Sequence, residues 1–329
     1  MEYVNFYERI HNVKNIKMVA EKVCQHYSLG ELINQKHIEI GYEDFNMIIS
    51  TSTGEYFIKI LNKSRPKSEQ MRLVNILENA IKGEVQVPKI HQVNGESIFE
   101  LEIDNKTLNI IVMDYIKGTN VLLLNRDLNY NEICSIAKEM AKINKIDFQV
   151  ESYYDEWTIT NFESEYKKKI EKIDAKDKLL VSKVYEQMSK VDFSKFKMSY
   201  IHADIIKSNL ILDNEGKIWV IDFSVLNYLP RVIELAVVMF GVCLTNDREI
   251  SINNMNTLIN EYNKYNKLDS YEINNLPIIF NCISAMNILQ TSYIKATDET
   301  FEENEHWLSE GRKGVALNLS IEDIKLSND

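Results

Sequence analysis

The chain has 329 residues, with 38 Lys and Arg against 49 Asp and Glu, a formal charge of −11, and 45% apolar residues. That length suggests about two domains or lobes, and the apolar content supplies a sizeable core and excludes a disordered chain. A strongly acidic surface repels nucleic acid and anionic membranes, so neither is an expected partner.

Taken in chain order, residues 12–34 read as a helix, with Val19, Val23, Leu29 and Leu32 loosely periodic. Two β-rich runs, 47–50 and 56–61, flank Thr51-Ser52-Thr53-Gly54 and read as a hairpin. Residues 66–82 read as a helix with Met71, Val74, Leu77 and Ile81 on one face, and Val87-Pro88 opens another strand region. A second hairpin spans 97–101 and 108–113 around Asp104-Asn105. After Gly118 the character changes: 131–145 and 162–190 read as helices, and 200–201, 210–212 and 218–221 as short strands around the turn Asn214-Glu215-Gly216. Everything from Pro230 onward reads as helical. The spacing therefore predicts an α+β chain, with a small β-rich lobe over 1–117 and a large, mainly helical lobe over 118–329.

Cys24, Cys134, Cys243 and Cys282 stand far apart and form no CxxC pair, as expected of reduced thiols in a cytoplasmic protein. The longest apolar run, 235–244, is half the roughly 20 residues of a spanning helix. The first ten residues carry Glu2, Glu8 and Arg9, unlike the apolar core of a signal peptide.

The stretch 200–224, YIHADIIKSNLILDNEGKIWVIDFS, holds the most chemistry. His202-x-Asp204 is followed four residues later by Asn209, then by a turn, a strand and Asp222-Phe223. In phosphoryl transfer an Asp orients the attacking hydroxyl and accepts its proton, while an Asn and a second Asp hold Mg²⁺ against the phosphates. Mg²⁺ prefers oxygen ligands and is held by one or two carboxylates plus phosphate oxygens. The hairpin between Asn209 and Asp222 returns the chain so that Asp222 can face the loop.

This stretch resembles the aminoglycoside phosphotransferase family, whose loop is followed by a hairpin and Ile-Asp-Phe or Ile-Asp-Trp. The family includes choline and homoserine kinases and has the protein-kinase-like two-lobed fold. The likeness runs from near Gly41 through FIKIL, VPKI, IVMDYIKG and the Asp204 loop to NYLPRVIELA and the helical region beyond it. It implies a small-molecule kinase that transfers the γ-phosphate of ATP, or of GTP, to a substrate hydroxyl with Mg²⁺ as cofactor. Asp204 is then the catalytic base, Asn209 and Asp222 are the metal ligands, and His202 braces the loop. Lys59, in Phe57-Ile58-Lys59-Ile60, fits the strand lysine that holds the phosphates with a helix carboxylate. Glu69 is the favoured carboxylate, with Glu78 on the same helix as the alternative. Gly41 falls in the nucleotide loop, which is otherwise poor in glycine, and Met113, Asp114 and Tyr115 fall at the inter-lobe hinge, where backbone groups hold adenine.

The departures from the family are Ala203 for its usual Gly, Ile206 for an aromatic or His, Asn144 for a helix His, and Glu234 for an Asp that braces the metal loop. They leave open a homoserine- or choline-type metabolite kinase and a non-catalytic nucleotide-binding module. A protein kinase is disfavoured, because no Ala-Pro-Glu follows Asp222-Phe223. Residues 201–329 hold 10 basic and 19 acidic groups, so most of the −11 lies there. Glu299, Glu302 and Glu303 are candidates for receiving a cationic substrate, or else a solvated helix face.

Overall fold

The structure, a computed structural model, describes residues 6–38, 43–152, 154–297 and 304–327. The chain divides into two units: residues 2–82 and 86–117 form one, and residues 83–85 and 118–329 the other.

The first unit is built on a five-stranded antiparallel sheet in the order β1-β2-β3-β5-β4. The strands are β1 (Leu32–Ile38), β2 (Phe45–Thr51), β3 (Glu55–Ile60), β4 (Phe99–Ile103) and β5 (Lys106–Asp114). Alternation decides which face is covered. Phe45, Met47 and Ile49 of β2 are buried with Ile58 and Ile60 of β3, and they pack with Val19, Ala20 and Val23 of helix α1 (Ile16–Tyr27). Asp104 and Asn105 both take positive φ, as the two-residue turn between β4 and β5 requires. Helix α2 (Lys67–Lys82) joins β3 to the strand pair β4–β5.

The second unit carries the helices α3 (Tyr130–Ile143), α4 (Phe162–Lys169), α5 (Ala175–Met188), α6 (Val232–Val238), α7 (Arg248–Tyr265), α8 (Ser270–Thr297) and α9 (Glu305–Leu317). Its long α8 buries Leu276, Ile279, Phe280, Ile283 and Ile288 and packs against α5, α6 and α9. Short strands frame the loop of interest. Strands β6 (Gly118–Asn120), β8 (Leu210–Asp213) and β9 (Ile218–Val220) form one sheet, and β7 (Met198–Ile201) pairs with β10 (Asn227–Pro230). Among the described residues no helix is long and apolar enough to cross a membrane.

Several elements differ from the sequence reading. The helix expected over 12–34 ends at Tyr27, because Ser28 caps it in the left-handed conformation and Gly30 also takes positive φ. Leu32 then opens the edge strand. On α2 the buried face carries Leu73, Val74, Ile76, Leu77 and Ala80, and Met71 is exposed. The helix expected over 162–190 is two, because Asp174 caps the start of α5 through Lys176 N–H. Residues 87–93 make isolated bridges where a strand was expected.

Candidate active site

In the first unit, Lys59 sits on β3 with its side chain 14% exposed, and the carboxylate against it is Asp44. Asp44 precedes β2 and is buried. Its Oδ2 lies 3.3 Å from Lys59 Nζ and 3.3 Å from Arg65 Nη2, and its Oδ1 accepts from Asn62 N–H at 2.9 Å. The sequence reading placed the partner on α2, at Glu69 or else Glu78. Glu69 stands in the first turn of α2, where its charge bears on Arg65. Glu78 accepts from Ser97 Oγ at 2.6 Å and Gln92 Nε2 at 2.9 Å. Burial alone lowers the Arg65 pKa, but Asp44 and Glu43 outweigh it and hold the pKa above its ordinary value. The sequence reading missed Asp44. Its one signal was register: the hairpin that pairs Phe45 with Ile60 brings Asp44 within reach of Lys59.

At the end of β5, Met113 is buried and pairs with Phe57. The N–H of Asp114 donates to Lys89 O at 2.9 Å, and its Oδ1 meets His91 Nε2 at 2.7 Å. The amide of Asp114 is therefore engaged. Gly41, Glu299, Glu302 and Glu303 lie outside the described residues.

In the second unit, the chain leaves β7 at His202, which is fully buried. Its ring joins two segments. Nδ1 accepts from Asp204 N–H at 3.2 Å, and Nε2 faces Ile221 O at 3.1 Å. That pairing requires the neutral ring protonated on Nε2. Burial keeps it neutral, bringing the pKa down to about 4. Asn209 closes the loop, its Nδ2 donating to Asp204 Oδ2 at 2.7 Å and to Asp204 O at 2.9 Å. The Asn209 carbonyl accepts from Ile221 N–H at 3.0 Å. Two contacts, both at Ile221, thus tie the Asp204 loop to the strand exit that carries Asp222.

Two backbone features carry strain. Ala203 has φ +67° and Asp222 has φ +64°. The left-handed region costs an alanine about 1 kcal/mol. Glu234, fully buried on α6, offsets this by accepting the N–H groups of His202 and Ala203 with its two carboxylate oxygens. Burial pushes its pKa up to about 8, against the downward pull of these two donors. The extra methylene of Glu over Asp still reaches the loop. Asn144, at the end of α3, donates to Tyr200 O at 2.9 Å and accepts from Tyr262 Oη, which ties β7 to α7. Behind the loop, residues 239–243 form a π-helical turn. A Cβ on Gly241 would lie 2.3 Å from Ile206 Cγ2, so only glycine lets this turn approach the loop so closely.

No group of three or more His, Cys, Asp or Glu side chains that could hold a metal occurs among the described residues. Asn209 and Asp222 nevertheless suit Mg²⁺ brought with phosphates. With Nδ2 engaged by Asp204, Asn209 keeps Oδ1 for a cation, and Asp222 adds a hard carboxylate.

A model of the phosphotransferase enzyme family matches residues 34–265. No curated protein matches the sequence. Among solved structures, the chain is similar to an amicoumacin kinase in complex with AMP-PNP and Ca²⁺, at 12% identity and TM-score 0.68, covering 98% of each chain. It is similar to a microcompartment-associated aminopropanol kinase at 12% identity and TM-score 0.68, covering 92% of this chain and 96% of that one. It is also similar to a choline kinase from Streptococcus pneumoniae, at 15% identity and TM-score 0.58, over 92% and 98% of the two chains. At these identities the likeness shows the fold, which is protein-kinase-like.

Proposed function

This chain belongs to the phosphotransferase enzyme family and is a phosphotransferase. We propose that it transfers the γ-phosphoryl group of ATP, or of GTP, to a hydroxyl of a small cationic molecule. The observation that carries this reading is the Asp204 carboxylate, held by Asn209 at 2.7 Å in a loop that His202 joins to the strand leading to Asp222.

Asp204 is the catalytic base: it orients the acceptor hydroxyl and takes its proton on a carboxylate oxygen. Positioning of this kind supplies much of the rate in phosphoryl transfer. His202 is a positioning residue, since both ring nitrogens are already used. Asn209 and Asp222 would hold Mg²⁺, which when bound neutralises charge on the phosphate oxygens. Lys59, steadied by Asp44, receives phosphate oxygens. The Asp114 carbonyl and Tyr115 amide take the adenine edge, now that Lys89 occupies the Asp114 N–H.

The charge distribution favours a cationic acceptor, because residues 201–329 hold 19 acidic groups against 10 basic. The similar structures point the same way, since aminopropanol and choline are amino alcohols. The test is turnover of ATP with Mg²⁺ across amino alcohols, aminoglycosides and neutral polyols. At least one cationic alcohol should be phosphorylated, with kcat/KM at least tenfold above its neutral analogue. Nucleotide binding without transfer to any acceptor would overturn the catalytic reading in favour of a binding module.

A further inference from the structure

Helix α7 carries Asn256 and Asn260 one turn apart, and both side-chain amides face the extended segment 323–327. Asn256 donates to Asp323 O at 2.9 Å and accepts from Lys325 N–H at 2.7 Å. Asn260 repeats the pattern two residues on, donating to Lys325 O at 2.8 Å and accepting from Ser327 N–H at 2.8 Å. The match has a geometric cause. Four helical residues rise about 6 Å, and two extended residues span about 6.6 Å. One turn of α7 therefore meets every second residue of an extended chain. Lys325 is gripped at both its N–H and its C=O while remaining exposed, so its side chain is not read.

About two turns earlier on α7, Arg248 Nη2 meets both carboxylate oxygens of Asp323 at 3.0 Å, a side-chain anchor at the start of the segment. A cavity of about 550 Å³ lies along the same face, lined by Ser327, Asn260, Thr257, Glu261, Lys264 and Tyr130.

From this geometry we infer that α7 is a clamp for extended polypeptide backbone. It takes a peptide with an acidic anchor residue followed by residues of any side chain at the positions whose main chain is read, and segment 323–327 is its resident occupant. The clamp is independent of the catalytic reading, because none of its residues belongs to the Asp204 loop.

The test uses the full chain. Lys325→Pro/Ser327→Pro deletes the two N–H groups that the asparagines accept, and so vacates the clamp while leaving α7 unchanged. A fluorescein-labelled octapeptide of residues 320–327 should bind this variant saturably in an anisotropy titration. A peptide carrying Lys325→Glu should bind within threefold, whereas one carrying Asp323→Asn should bind at least tenfold more weakly. Adding Asn256→Ala/Asn260→Ala to the vacated chain should weaken binding at least tenfold. Absence of saturable binding, or binding indifferent to the two asparagines, overturns the proposal. A second measurement needs no variant: in the unaltered chain the Lys325 and Ser327 amides should exchange hydrogen at least tenfold more slowly than that of Leu326. Equal exchange would contradict the clamp.

Discussion

Asp44 in one unit, and His202 and Ala203 in the other, show how single residues set local order. Asp44 is buried between Lys59 and Arg65, and removing one partner of such a group leaves charge unpaired in the interior. Asp44→Asn should destabilise the sheet unit by about 3 kcal/mol, read as a lower urea midpoint, and should weaken nucleotide binding through Lys59. An unchanged midpoint would show that the pair is not structural. His202 gives a pH signature of definite sign. The unfolded ring titrates near 6.5 and the folded ring at about 4. Between these values the unfolded state binds more protons, so stability falls as pH drops from 6.5 towards 4 and is flat in this respect above 6.5. The span amounts to roughly 3 kcal/mol. Buried Glu234, raised to about 8, tilts stability the opposite way with pH. The clean readout is therefore the difference between wild type and His202→Gln, which should shrink as pH falls through that window. Ala203→Gly should gain about 1 kcal/mol by releasing the positive φ, with the midpoint of thermal unfolding as the check.

At the scale of elements, the π-helical turn 239–243 and the Asp204 loop share one tight contact at Gly241 and Ile206. Gly241→Ala adds a methyl group where none fits, a change that costs about 1–3 kcal/mol in a packed interior. It should also displace the loop, so kcat should fall at least tenfold while nucleotide affinity holds. Equal losses in both would mean general unfolding. The same scale shows what was legible in the sequence. The Asp204 loop could be read because its parts are local: a fixed spacing from His202 to Asn209, a turn at Asn214-Glu215-Gly216, and Asp222 at the strand exit. The hairpins around 51–54 and 104–105 could be read for the same reason. Edge strand β1 could not, because its partly exposed residues lack alternation and its identity comes from pairing with β2. Asp44 and the Asn256–Asn260 clamp stayed hidden because each depends on register between segments, 15 residues apart for Lys59 and 67 for Asp323.

At the scale of the whole molecule, the α+β fold and the family match over 34–265 agree on a phosphotransferase. If the phosphate-binding groups act as proposed, ATP with Mg²⁺ at about 100 times its Kd should stabilise the chain by about 2.7 kcal/mol. Thermal unfolding with and without nucleotide reads this directly, and Lys59→Ala should abolish most of the shift. The most direct test of the central claim separates binding from chemistry at Asp204. With the best acceptor from the panel, Asp204→Asn should lower kcat at least a hundredfold while leaving the Kd for ATP and Mg²⁺ within threefold of wild type. A variant that turns over at the wild-type rate would contradict the assignment of Asp204, and with it the account of this loop as the catalytic centre.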